Sequence, residues 1–510
     1  MKLSPRLLAA SAVLAVFSFV ILLPQCESGP CPPSDLPPNI ASMCYCADST
    51  RSDSFCSQIP HEIPLPDSLH QAGYHVMLDS LHQPYFDIFS WQSFVALNWP
   101  ADAQGKPVPG TFSTDFSSPR VWEYYADPDT VFTSGTTKVP KAVWAQAHSK
   151  KKKLLYMRSK FQDIDSIGLG PNAFLESDGN ALIDQNGNYA VFEEKMNPDE
   201  YNYIDTAGLR TQAGQQRWVD SLHQTIDLPE GFYTDAKHGT GGIVGAMELK
   251  ASWKILVPGK DSIDRFYHQP AVIYIDSNYT TNHQPLTVEA EVGLVGLHIV
   301  HKTSQTFGQF MVWSTFEHID NVPDNLQASQ APVSQLLHYS FYAPSILGAA
   351  VNTPPSPHPG DNVVRWSPQM PYASEYLQEV HGDNNVFTGT QAVREFPVYY
   401  YTELVNRQWR AKLAGTVWAN YRLIGSQWGG TPDGPPFDTM SAPQYLGNAT
   451  METYEQQTAS CITCHGSFAK IAGHGPRPKA DFSFLFGHAT VAEAPKIPAV
   501  KPRNTRAPKN

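Results

Sequence analysis

The chain predicts an α+β fold: a large β-rich body with helices, plus a short helical module near the C-terminus. Three observations carry this expectation. Five stretches rich in β-branched and aromatic residues read as strands. Two apolar segments follow a helical rather than an alternating pattern. A helical pattern near residues 448–468 runs into a Gly/Pro-rich loop that continues as "DFSFLF". The 510 residues are 41% hydrophobic and 12% aromatic, ample for a real core. Only 16% are charged, and 43 are proline, which favours long loops and short elements.

Residues 1–25 read as a signal or anchor segment. Lys2 and Arg6 precede an apolar run from Leu7 to Leu23, closed by Pro24. The run is long for a cleaved signal and short for a comfortable membrane span, so anchoring through the N-terminus stays open. Cys26 follows "LLPQ", a poor version of a lipoprotein cleavage pattern, and its lipidation also stays open. The expected location is periplasmic or exported, possible membrane anchoring included.

Residues 26–60 form a Pro- and Cys-rich segment. Cys31, Cys44, Cys46 and Cys56 are enough for two disulfides in an oxidising compartment, with three possible connectivities. A metal site there is the rival, but no histidine lies closer than His61.

The body spans 61–440. "YFDIFSWQSFVALNWP" (85–100) reads as a buried helix stopped by Pro100. The basic run Lys150–Lys153 reads as a solvated face. Strands are expected at 188–196, 245–256, 270–276, 286–303 and 310–319. Residues 397–428 read as strand or helix entering a long amphipathic helix, with Leu404, Trp409, Leu413 and Val417 roughly in helical period. Residues 441–491 form the C-terminal module, and 492–510, rich in Pro, Lys and Arg, read as a disordered tail.

Within that module lies "TASCITCHGSF", residues 458–468. Cys461 and Cys464 stand three apart, and His465 follows at once. Two thiols and an imidazole at this spacing, on one helical turn, suit the covalent attachment of haem. The thiols add to its two vinyl groups and the histidine becomes the proximal iron ligand. Asn448 and Thr450 are candidate N-caps, and Met451, Tyr454, Thr458, Cys461 and His465 would then share a helical stripe. A zinc site using His474 and His488, a redox dithiol and a simple disulfide remain alternatives.

At these residues the chain resembles the c-type cytochromes, with support confined to about 448–490. It also looks like large exported bacterial proteins with a single C-terminal C-x-x-C-H motif, a likeness shared by "FSWQSFVALNWP" and "GLHIVHKT…VWSTFEHIDNVP". The resemblance implies one covalent haem c, thioethers at Cys461 and Cys464, and His465 as iron ligand. It departs from the family in the distal ligand. No methionine follows Met451, and only 45 residues follow His465. The body must therefore complete the haem site unless the iron stays five-coordinate. Candidate distal ligands are His474 first, then His488, Met451, Met440, His298, His301 and His318.

A second constellation pairs His298 and His301 with Glu317, His318 and Asp320. On a strand, His298 and His301 point to opposite faces, and a hairpin could bring His301 and His318 together. Hydrogen-bonded sheet histidines are the plainer expectation. The net charge of −12 excludes a nucleic-acid partner and disfavours an anionic membrane surface. No nucleotide-binding or hydrolase motif is present. The expected function is electron transfer by a mono-haem protein with a redox partner protein or a small-molecule donor or acceptor. The alternatives are a haem oxidoreductase with an open iron site and a binding or structural protein whose haem is structural.

Overall fold

The computed structural model describes residues 55–64, 79–110, 112, 118–132, 139–156, 180–235, 240–305, 308–324, 338–346, 349–359, 363–380, 386–429, 445–473 and 480–489. The expected signal segment, the tail, His474, Met440 and the cysteines other than Cys56, Cys461 and Cys464 lie outside these. No described helix is long and apolar enough to cross a membrane.

The described helices are α1 (Asp79–Leu97), α2 (Pro128–Val131), α3 (Lys141–Ser149), α4 (Pro198–Thr206), α5 (Gln212–Gln216), α6 (Tyr400–Lys412) and α7 (Cys461–Phe468). The strands are β1 (Lys153–Tyr156), β2 (Val191–Met196), β3 (Met247–Ile255), β4 (His268–Ile275), β5 (Leu286–Gln305), β6 (Gly308–His318), β7 (Gln378–Glu379), β8 (Phe387–Thr388) and β9 (Tyr421–Gly429). Seven of them form one mixed sheet, and β7–β8 is a separate small ladder. The fold is α+β with a β-rich body.

Strand β5 organises the sheet. Its first part pairs with β4, its middle with β3 and its second half with β6, all antiparallel; β6 continues to β9, and β3 to β2. The parallel β1 extends the sheet beyond β4. Because side chains alternate along a strand, each face has its own inventory.

One face carries the aromatic core. Helices α1 and α6 lie on it, and Phe86 stacks on Trp428, Phe94 on Phe316, and Trp91 on Trp409. Each such pair adds about 0.5–1.5 kcal/mol beyond area burial. A buried polar knot joins the layers: Asp87 accepts from Thr402 Oγ1 (2.6 Å), Ser426 Oγ (2.7 Å) and Gln83 Nε2 (2.8 Å).

The other face seats residues 445–473 and 480–489. Ser252 Oγ donates to the Thr450 carbonyl, His298 meets Glu452, Thr315 accepts from Asn448, and Gln427 Oε1 accepts from the Ile462 amide. Gly296 permits the closest approach: a Cβ there would stand 2.4 Å from Thr450 Oγ1 and 3.0 Å from Met451 Cε.

Four expectations need correction. Residues 449–458 are turns, so the attachment helix begins only at Cys461, and Met451, Tyr454 and Thr458 share no helical stripe with it. Asn448, Thr450 and Glu452 bond one another and the sheet rather than capping a helix. The expected long helix within 397–428 ends at Lys412; a turn through Gly415 at φ +85° leads to β9, which the open edge of β6 captures. Lys153 does not belong to a solvated face. It is buried between Glu193 (2.8 Å) and Glu123 (3.5 Å) and over the rings of Trp122 and Trp253. Lys150 and Lys152 do stay near the surface, clasping Glu289.

Candidate functional site

The motif occupies the first turns of α7. Ser460 is the N-cap, its hydroxyl accepting from the Thr463 amide, and the Cys464 amide bonds the Ser460 carbonyl. Positions i, i+3 and i+4 bring Cys461, Cys464 and His465 to one helix face. All three are half-buried, whereas Ile462 and Gly466, on the adjoining side, are buried, and Cys461 packs against the cluster that holds Ile462. The helix is thus pinned by its apolar face, and the reactive face is left partly accessible. The two sulfurs are not joined in a disulfide.

His465 is held on several sides. Its Nδ1 lies 2.6 Å from the Phe482 carbonyl oxygen. A carbonyl only accepts, so Nδ1 carries the hydrogen and Nε2 keeps its lone pair. The ring meets Phe484 edge-on at 4.6 Å and Trp313 at 5.8 Å. Burial holds its pKa down to about 4, which keeps the imidazole neutral. Both thiols are pushed above the usual range, first by burial and then by the Glu452 charge. That is the reverse of the depressed thiol pKa of a dithiol redox catalyst.

Beside the motif Glu452 Oε1 lies 3.1 Å from His298 Nε2. Burial works against the Glu452 charge, but His298 and Lys250 outweigh it and hold this carboxyl below the ordinary range.

The other predicted histidines are used elsewhere. His301 does point to the face opposite His298, as a strand requires. It stacks on Phe89 and bonds the Val244 carbonyl at 2.7 Å. His318 stacks on Phe266 and bonds the Arg265 carbonyl at 2.9 Å. The two are not brought together. His301 pairs with Val312, and His318 lies six residues further along β6, about 20 Å away. His488 has both ring nitrogens engaged, Nδ1 with Asp129 (3.0 Å) and Nε2 with Glu194 (3.4 Å), so it is not a distal ligand as folded. Met451 packs with Phe192, Leu256 and Val295, in a cluster separate from the one that holds Ile462. His474, the first-ranked distal candidate, lies outside the described residues.

Haem fits this donor set. The two thiols stand one turn apart on an accessible face. The imidazole tautomer is fixed by a backbone acceptor, the outer-shell arrangement that orients metal-bound histidines. Among the described residues no group of three or more His, Cys, Asp or Glu is placed to hold a metal ion. Comparisons of the chain with models of known families, with curated proteins and with solved structures find no match.

The Phe482 acceptor and the Trp313 wall escape sequence reasoning. The first is a backbone atom. The second comes from a strand remote in sequence, and only the register of β6 against β5 and β9 places it at the motif.

Proposed function

We propose that this is an exported mono-haem c-type cytochrome-like protein that carries single electrons between a donor and an acceptor. Cys461 and Cys464 hold the haem by thioethers, and His465 Nε2 ligates its iron. The single observation that carries the reading is the His465–Phe482 hydrogen bond beside two half-buried thiols on one helical turn. A lone C-x-x-C-H asks only for spacing; a ligating histidine also asks for a fixed tautomer, which this contact provides.

Bound haem supplies a reversible one-electron couple. The chain's own residues do the rest. Trp313, Phe482 and Phe484 surround the imidazole and limit water around it. The packing of 445–473 and 480–489 against the sheet fixes the ring's position. The partly accessible motif face, with Phe468 46% exposed at the end of α7, is the side open to a redox partner protein or a small-molecule donor or acceptor.

Absorption spectra of protein from a cell competent in cytochrome c maturation test this function. A six-coordinate, low-spin haem that cycles between oxidised and reduced forms with a soluble mediator is expected. A high-spin iron that reacts with peroxide moves the assignment to a haem oxidoreductase, and a haem that no soluble donor reduces makes it structural.

A further inference from the structure

Glu200 and Glu248 approach each other beneath the segment that carries Phe482. Glu200 stands in the first turn of α4, capped by Asn197, and Glu248 projects from β3. Their relative exposures are 0% and 8%, and the Asn197 side chain, which accepts from the Glu200 and Met247 amides, sets the two residues side by side. Both oxygens of Glu200 and Oε1 of Glu248 are buried with no hydrogen-bond donor supplied by the protein. Carboxylates can only accept, so buried carboxyls without a donor favour the protonated form.

The surroundings provide little countercharge. Asp481 and Glu194 face the pair, and Ser483 bonds Glu248. Lys302, from β5, bridges Asp481 (2.7 Å) and Asp227 (2.6 Å). His488 is held between Asp129 and Glu194. Lys250 stands opposite Glu194 across β2 and β3, on the face that Glu248 shares, so six carboxyl groups meet two lysines and one histidine. The N-terminus of α4 favours an anion only weakly. Burying an uncompensated ion costs several kcal/mol. Desolvation wins. Glu200 is pushed well above the ordinary carboxyl range and Glu248 up to about 7, burial being the main cause for each.

We propose that the Glu200–Glu248 pair is a proton-binding site that latches residues 480–489 onto the sheet, and so keeps the Phe482 carbonyl on His465. With the proton in place, one carboxyl donates to the other, and Glu248 accepts from Ser483. When it passes to solvent, two carboxylates face each other and Asp481. The repulsion is relieved by displacing Asp481–Ser483, which belong to no sheet ladder. The inference rests on the packing of the chain and holds with or without haem.

Hydrogen exchange on the full chain, read by mass spectrometry, tests the latch. Between about pH 6 and pH 8.5 the protection of peptides covering 480–489 falls tenfold or more, roughly the scale of a local opening worth 1–2 kcal/mol. The β5–β6 ladder keeps its protection. Glu200→Gln supplies a permanent N–H donor to Glu248, and Glu248→Gln does the same in reverse. In a His488→Gln background, which removes the separate titration of the His488 ion pairs, each abolishes the remaining pH dependence, and one suffices if the other fails to fold. Protection of 480–489 that does not change with pH in the unaltered protein overturns the proposal. So does a drop that persists in the glutamine variants and vanishes in His488→Gln, which assigns it to the His488 ion pairs.

Discussion

His465 Nδ1 donates to the Phe482 carbonyl oxygen at 2.6 Å, across a separation of 17 residues. The contact turns a local sequence motif into a site that depends on the whole fold. Phe482 is placed by its neighbours: Asp481 Oδ2 accepts from the Leu228 amide (2.7 Å) and from Lys302 Nζ (2.7 Å). The imidazole's tautomer therefore rests on β5 and on the loop before β3 as much as on α7.

Gly296→Val separates the C-terminal segment from the sheet. The added side chain enters the space of Thr450 Oγ1, Met451 Cε and Asn448 Oδ1. Backbone and buried side chains must shift, at a cost of about 1–3 kcal/mol. Urea unfolding of the variant checks this, and an unchanged midpoint contradicts the seating of 448–451 on β5.

Glu317→Ala removes the buried partner of Arg394 and the acceptor of the Ala449 amide. Both side chains are at or below 2% exposure, so the guanidinium is left buried with weakened compensation. Stability falls by about 3–5 kcal/mol. Replacing the half-exposed Glu375 by alanine, by contrast, costs less than about 1 kcal/mol, because its contact to His358 is solvated. Denaturant unfolding of the two variants side by side measures the contrast.

Alkaline pH weakens the grip of residue 488 on the body. Burial opposes the His488 charge, but Asp129 and Glu194 overcome it and raise its pKa to about 9. A histidine raised on folding contributes stability that is fully present below its ordinary value of about 6.5 and is lost as pH climbs through the folded value. Between about pH 6.5 and 9 this contribution, on the order of 2–3 kcal/mol, disappears. Thermal melts of His488→Gln across that range show a flatter pH profile than the parent; identical profiles contradict the assignment.

Much of the sheet was legible in the sequence, because burial on both faces writes itself as runs of β-branched and aromatic residues. The expected strands 245–256 and 310–319 correspond to Met247–Ile255 and Gly308–His318. The opposed faces of His298 and His301 follow from strand periodicity alone. The capture of β9 was not legible. "YRLIGSQW" carries a mixed pattern, and its state is decided by pairing with β6 rather than by propensity. The stripe expected from Met451 to His465 failed because Asn448 and Glu452 bond β5, β6 and each other, which is worth more here than one further helical turn. At the motif, the helix and the three chemical groups were readable, whereas the Phe482 acceptor and the Glu452–His298 pair needed the fold.

The decisive measurement is the mass of the denatured, intact protein purified from cells that mature c-type cytochromes, taken with Cys461→Ser and Cys464→Ser variants. The account predicts one haem retained after denaturation in the parent, visible also as a haem-stained band on a denaturing gel. It also predicts that loss of either thiol makes the pigment extractable by acid acetone or greatly weakens its attachment. A colourless parent protein, or one that carries zinc at Cys461 and Cys464 instead, contradicts it.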